Sequence, residues 1–195
     1  GKNYFRVCGH KRDIMDKNAL QNLLRDLYNQ KIQPNEAIEQ LSILPYENLD
    51  FAKIDHHRSL RNGLPEVIYG AGKTEDQLIS IIKSLHKAEN DILATKLDPK
   101  VYKNIKRKLP SGTIYNESSL TLVIKQSKRR KKMGHITIVS AGTSDIPIAE
   151  EAQVTAELFG SKVEKIFDVG VAGIHRLLDK IDGLRQARVV VVVAG

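Results

Sequence analysis

The carboxyl-terminal part of the chain alternates between short apolar runs and helical segments. Apolar runs at 136–141 and 189–194 predict buried strands, and 162–168 predicts a third strand between helices at 146–159 and 170–182. Strands that alternate with helices pair in parallel through right-handed crossovers, so the pattern predicts an α/β domain of the Rossmann type with a parallel sheet. Three strands and two helices make about half of a doubly wound domain, and we expect the chain to stop within that domain.

The preceding part of the chain mixes helices and strands. Leucines at helical spacing predict a helix over 16–30, and Pro34 opens a second short helix that ends near residue 41. Thr74 and Gln77 form a capping-box pattern ahead of an apolar helix face. The other predicted elements are strands at 66–69, 91–97 and 120–125 and a helix at 100–108 that begins with Asp98 and Pro99.

A cationic segment separates the two parts. Residues 128–132 are all Lys or Arg, so we predict a mixed α+β module over 1–127, a basic linker over 128–134 and a partial α/β domain over 135–195. The favoured interpretation of the run is a solvated linker, and the alternative is attraction for phosphates of a substrate or of nucleic acid. No aromatic residue interrupts it, which argues against stacking on bases and makes nucleic acid an unlikely partner.

The net charge and the cysteine content limit the kinds of partner and of cellular compartment that this chain can have. Lys and Arg total 31 against 23 Asp and Glu, and the formal net charge of +8 favours an anionic partner. Cys8 is the single cysteine, which excludes an intrachain disulfide and fits a reducing cytoplasm. The longest apolar run, 189–194, is too short to cross a bilayer, so no membrane partner is expected.

The junction of the first strand and first helix of the α/β domain carries a small polar loop. Gly142 lets a ligand approach the backbone, and Thr143, Ser144, Asp145 and the first free amides of the helix predict a site for phosphate. The alternative is that Ser144 or Asp145 simply caps the helix, and motif shape alone favours that alternative. The loop is neither a Walker loop nor a dinucleotide fingerprint, because the required later residues are absent.

A second loop follows the next predicted strand and ends with His175 and Arg176. The carboxyl ends of parallel strands share one sheet edge, so we expect this loop to lie beside the first. His175 could exchange protons near neutral pH, and Arg176 could hold a carboxylate or phosphate with two parallel hydrogen bonds. Taken alone, the pair would instead be favoured as part of an ordinary surface helix.

Several motifs together resemble the LarB family. They are GHITIVSAGTSDIPIAEEA (134–152), FDVGVAGIHR (167–176), LPYE (44–47), FAKIDHHR (51–58) and GLPEVIYG (63–70). The resemblance implies a carboxyl-terminal domain similar to the aminoimidazole-ribonucleotide carboxylase PurE. It also implies carboxylation of the pyridinium ring of nicotinic acid adenine dinucleotide with carbon dioxide or bicarbonate, and anhydride cleavage that releases AMP. That reaction belongs to the assembly of the nickel-pincer nucleotide of lactate racemase.

The family resemblance also implies which residues surround the nucleotide. The positions that match the two PurE-like loops are Gly142, Thr143, Ser144 and Asp145, then His175 and Arg176. Asp145 and His175 are the candidates for a catalytic role. The resemblance further implies a homo-oligomer and no tightly bound cofactor, with a requirement for Mg²⁺ left open.

The sequence departs from the family at the nucleophile. LarB enzymes use a late cysteine thiolate that adds to the pyridinium ring, and here Cys8 precedes the first motif. We therefore expect nucleotide binding without turnover from the 195-residue chain. The pair His56 and His57 is not expected to form a metal site, because neighbours on an extended segment point to opposite faces. The alternative to an enzyme is a non-catalytic module that binds nucleotides or nucleic acid.

Overall fold

The structure, a computed structural model, describes residues 17–42, 47–49, 51–55, 64–88, 90–126 and 132–195. Cys8, the histidines at 56 and 57, and most of the basic run lie outside these residues, as do parts of the 44–47 and 51–58 motifs. Backbone contacts divide the chain into two compact units, residues 1–63 and 64–195. Within the described part of the chain, no helix is both long and apolar enough to cross a membrane.

The described part of the first unit contains two helices and a small hairpin. Its elements are α1 (Lys17–Tyr28), α2 (Pro34–Ser42), β1 (Glu47–Asn48) and β2 (Lys53–Ile54). The sequence pattern predicted both helices, and α1 and α2 pack against each other. The antiparallel pair β1 and β2 was not predicted, because two residues per strand are too few for a periodic signal.

The second unit begins with a mixed four-stranded sheet. Its elements are β3 (Val67–Tyr69), α3 (Glu75–Lys87), β4 (Ile92–Thr95), α4 (Pro99–Ile105), a 3₁₀ turn (Lys106–Lys108), β5 (Ile114–Asn116) and β6 (Thr121–Ile124). The strand order is β3-β4-β6-β5, and only β3 and β4 are parallel. Every residue of the two central strands is buried, which agrees with their mostly apolar sequences.

The predicted capping box at the start of α3 is present. The Gln77 amide donates to Thr74 Oγ1 over 3.3 Å, and the Thr74 amide donates to Gln77 Oε1 over 3.0 Å. We expect Thr74→Ala to lower the free energy of unfolding by about 1 kcal/mol, measured by urea titration. Ser118→Ala, at an exposed turn position, should change it by less than about 0.5 kcal/mol. Equal losses in the two variants would contradict the role of the cap.

The rest of the second unit is a parallel α/β sheet. Its elements are β7 (Met133–Ser140), a 3₁₀ turn (Thr143–Asp145), α5 (Ile146–Leu158), β8 (Ser161–Ile166), a 3₁₀ turn (Val171–Gly173), α6 (Ile174–Leu178), α7 (Ile181–Gln186) and β9 (Val189–Val193). The order is β8-β7-β9, and both pairs are parallel. The predicted α/β fold class is therefore confirmed.

One local prediction in this region was wrong, and the start of one strand differs from the prediction. The single helix predicted over 170–182 is a 3₁₀ turn followed by α6 and α7, because the backbone departs from helical geometry at Gly173 (φ −132°) and at Lys180 (φ −106°). The strand β7 begins at Met133, so two residues assigned to the linker belong to the sheet. The domain boundary at 128–134 itself stays a prediction.

Helix α5 connects the two sheets of the second unit. Leu158 packs with Leu93 of β4 and Val123 of β6. In the middle of α5, Glu151 Oε2 lies 2.7 Å from Lys96 Nζ. On the opposite face of the parallel sheet, Leu177 and Leu184 cover the strands. Helices thus lie on both faces, and the amino end of α5 is held at the carboxyl edge of the parallel sheet.

Candidate functional site

Two loops leave the carboxyl edge of the parallel sheet. The first loop (141–145) follows β7, and the second loop (167–176) follows β8. Ser140, the fully buried last residue of β7, ties them together. Its carbonyl accepts a hydrogen bond from the Val169 amide, and its hydroxyl accepts one from the Asp168 amide, each over 3.1 Å. The start of the second loop is therefore fixed to the end of the neighbouring strand.

Gly170 brings the two loops into direct backbone contact. A Cβ atom added at Gly170 would lie 2.9 Å from the carbonyl oxygen of Ala141. The Gly170 backbone, at φ −60° and ψ 160°, is open to any residue. Glycine is thus needed for the close approach of two backbones rather than for its conformational freedom. The expected convergence of the loops is present in the structure.

Asp145 shapes the first loop from the inside. Its side chain is buried, with 7% of the residue exposed, and its Oδ2 atom accepts the Gly142 amide over 2.8 Å. The Asp145 amide in turn donates to the Gly142 carbonyl over 3.2 Å. The carboxylate makes no capping bond to α5 and instead closes the preceding 3₁₀ turn. In this geometry Asp145 positions the loop.

Thr143 and Ser144 are the exposed polar residues of the first loop. The first amides of a helical turn have no partner inside it, and here the bond from Asp145 is the first one that the turn makes internally. The turn leads directly into the 13-residue helix α5, whose dipole places partial positive charge at this end. Two amides and two hydroxyl groups are therefore available to an anion.

In the second loop, Arg176 folds back over its own backbone. Its Nη1 atom donates to Asp168 Oδ2 over 2.6 Å, and both side chains are less than half exposed. Asp168 has a left-handed backbone (φ 58°), which aspartate tolerates better than most residues. A Cβ atom at Gly173 would lie 2.5 Å from Arg176 Nε, so a side chain there would displace the guanidinium group from this position.

The ion pair leaves Arg176 partly free for a ligand. A guanidinium group has five N–H donors, and one hydrogen bond to Asp168 is present in the structure. The neighbouring His175 is exposed at the start of α6. Arg176 therefore combines a structural contact with spare donors for a phosphate or carboxylate.

The structure thus gives the six predicted site residues different surroundings. Thr143, Ser144, His175 and Arg176 are exposed on the two adjoining loops, whereas Gly142 and Asp145 form the framework of the first loop. Sequence reasoning missed the positioning roles of Ser140, Asp168 and Gly170. Gly170 directly follows a predicted strand, which is a signal for close backbone approach.

Metal ligands are not grouped in the described part of the chain. No set of three or more His, Cys, Asp or Glu side chains there is placed to hold an ion. The carboxylates of the two loops already have hydrogen-bond partners. Asp145 bonds to Gly142, and Asp168 bonds to Arg176. Among the described residues, the two loops therefore supply no group of three such ligands for Mg²⁺.

The fold and the two loops define an α/β protein with a candidate anion site at the carboxyl edge of a parallel sheet. A family model described as the LarB/PurE-like N-terminal domain matches residues 46–127. An uncharacterized protein of Methanocaldococcus jannaschii is 38% identical over 189 residues, an alignment that covers 93% of this chain and 73% of that protein. The chain belongs to the LarB family.

Proposed function

We propose that this chain binds nicotinic acid adenine dinucleotide as part of a LarB-type carboxylase. The reaction adds carbon dioxide or bicarbonate to the pyridinium ring and cleaves the phosphoanhydride to release AMP, for nickel-pincer nucleotide assembly in the cytoplasm. Family membership supports this class of activity. The observation that carries the proposal is the contact between the two loops at Ala141 and Gly170, which collects anion-binding groups at one sheet edge.

Each loop has a distinct part in the proposed site. The amides and hydroxyl groups of Thr143 and Ser144 bind a phosphate at the amino end of α5, where the helix dipole favours negative charge. Arg176 uses its remaining donors on a second phosphate or on the nicotinate carboxylate. His175 is the group that can accept or donate a proton beside the nucleotide. Asp145, Asp168 and Ser140 hold these groups in place.

The thiolate chemistry of the family has no counterpart among the residues of the two loops. Cys8 is the single cysteine of the 195 residues and precedes every family motif. We therefore propose that these residues bind the dinucleotide without turning it over. In the family the late thiolate adds to the pyridinium ring and makes it nucleophilic toward carbon dioxide.

Calorimetric titration with nicotinic acid adenine dinucleotide tests the proposal. Binding should be saturable and weaker for NAD, which carries an amide in place of the carboxylate. Arg176→Gln should weaken binding by roughly 10- to 150-fold, because a hydrogen bond to a charged group contributes about 1.5–3 kcal/mol. Arg185→Gln is the matched control, since Arg185 is also an exposed arginine, 3.9 Å from Asp182.

Two outcomes would contradict parts of this proposal. If the wild-type chain binds the dinucleotide no better than other polyanions, with steep salt dependence, a non-catalytic polyanion-binding module is the better description. If the chain releases AMP when it is incubated with nicotinic acid adenine dinucleotide and bicarbonate, then binding without turnover is wrong and the late cysteine is not essential.

A further inference from the structure

One segment of the second unit, between β4 and β5 of the four-stranded sheet, carries positive charges and no negative ones. The helix α4 and the 3₁₀ turn after it cover residues 99–108, which include five cations and no Asp or Glu. These cations form what we call the cationic face: Lys100, Lys103, Lys106, Arg107 and Lys108, all exposed.

The described residues of the protein do not neutralise this face by ion pairs. Among the residues that the structure describes, none of its five side chains takes part in an ion pair. Two carboxylates contact the segment, but through neutral donors. Asp98 accepts the backbone amide of Lys100 over 2.7 Å, and Glu75 accepts the Asn104 side-chain amide over 2.7 Å.

Helix stability does not explain so many cations. One or two basic residues near a helix carboxyl end interact favourably with the dipole. Lys103, however, lies three residues before Lys106 and four residues before Arg107. Like charges at those spacings on a helix repel each other. This repulsion between neighbouring cations is a cost that an external polyanion would relieve.

The apolar residues of the segment indicate which class of polyanion it can bind. Ile105 is fully buried, and the Tyr102 ring stacks on Tyr115 with 4.0 Å between ring centroids. A helix that inserts into a membrane interface presents exposed apolar side chains beside its cations, and stacking on single-stranded bases needs free aromatic rings. The phosphate backbone of a duplex needs only the cations.

We propose that the cationic face binds the phosphate backbone of double-stranded nucleic acid without reading its sequence. This function is separate from the dinucleotide site, because none of its residues belongs to the two loops. Binding of this kind releases counterions, so the logarithm of affinity falls with the logarithm of salt concentration by about 0.9 for each phosphate contact.

Fluorescence anisotropy with a labelled mixed-sequence DNA duplex tests the proposal. Changing Lys103, Lys106 and Arg107 to Gln should reduce the salt slope by about 2.7. Between 50 and 200 mM salt, the wild type should therefore lose about 40-fold more affinity than the variant. The control changes Lys83, Lys87 and Lys180 to Gln, three other exposed lysines, and should retain the wild-type slope.

The comparison isolates the face because both triple variants lose the same charge and keep the basic run at 128–132. Equal slopes in the two variants would overturn the proposal. Binding to vesicles that contain phosphatidylserine, with no binding to the duplex, would also overturn it in favour of a membrane. Loss of duplex binding in the first variant, with dinucleotide binding unchanged, would support it.

Discussion

Replacing Gly170 by alanine should separate the two site loops and weaken dinucleotide binding by at least about tenfold, which corresponds to about 1.4 kcal/mol. The new methyl group would lie 2.9 Å from the Ala141 carbonyl oxygen, so one backbone segment has to move. Overpacking of this kind typically lowers the free energy of unfolding by about 1–3 kcal/mol. Calorimetric titration and urea unfolding on the same preparation measure the two effects.

Gly142→Ala is the matched control for stability. An added Cβ at Gly142 would have its nearest neighbours at 3.6 Å, which is ordinary contact, and the backbone there (φ −117°, ψ 172°) is extended. We expect this variant to unfold within about 0.5 kcal/mol of the wild type. If Gly170→Ala were as stable as Gly142→Ala and bound the dinucleotide normally, the contact between the loops would not matter for the site.

Asp145→Ala should have the second large effect. The substitution removes the acceptor for the part-buried Gly142 amide, and a hydrogen bond to a charged group contributes about 1.5–3 kcal/mol to the free energy of unfolding. The first loop would also lose the bond that closes its turn, at 2.8 Å in the structure. We therefore expect weaker dinucleotide binding as well, although Asp145 is buried and its carboxylate bonds to its own loop.

Asp145→Asn separates positioning from catalysis. Asparagine retains one oxygen acceptor in nearly the same volume, so it should recover most of the stability and most of the binding. If the carboxylate instead had a direct chemical role, asparagine would reduce activity as much as alanine does. An AMP-release assay on a catalytically active form of the protein measures this difference. Urea unfolding of the two variants provides the stability comparison.

The sequence predicted the elements of the parallel sheet because their signals are local. An apolar run such as 136–141 must be buried on both faces, and the segment 146–159 has the length and flanking residues of a helix. Both were confirmed as β7 and α5 with small shifts at their ends. The segment 170–182 was predicted as one helix because its apolar pattern continues across Gly173 and Lys180. The helix is interrupted at these two single residues, and the pattern does not register such short breaks.

The composition of the candidate site was also readable from the sequence, whereas its internal contacts were not. Small and polar residues after two successive strands predicted that Thr143, Ser144, His175 and Arg176 would lie near one sheet edge. The pattern gave no indication that Asp145 turns inward to Gly142 or that Arg176 pairs with Asp168. Such choices depend on competing partners for each polar atom, and those partners are known only when the backbone is placed.

The amino-acid sequence by itself determined most of the strands and helices, which residues fill the two loops, and which family the chain resembles, but not the hairpin of β1 and β2 or the break between α6 and α7. Each of these follows from periodicity and motif spacing within short stretches. Only the tertiary structure decided that β7 lies between β8 and β9 and that Gly170 touches Ala141. The physical reason is that strand order and register bring together residues about 28 positions apart, as in the bond from Asp168 to Ser140, through hydrogen bonds that local sequence does not encode.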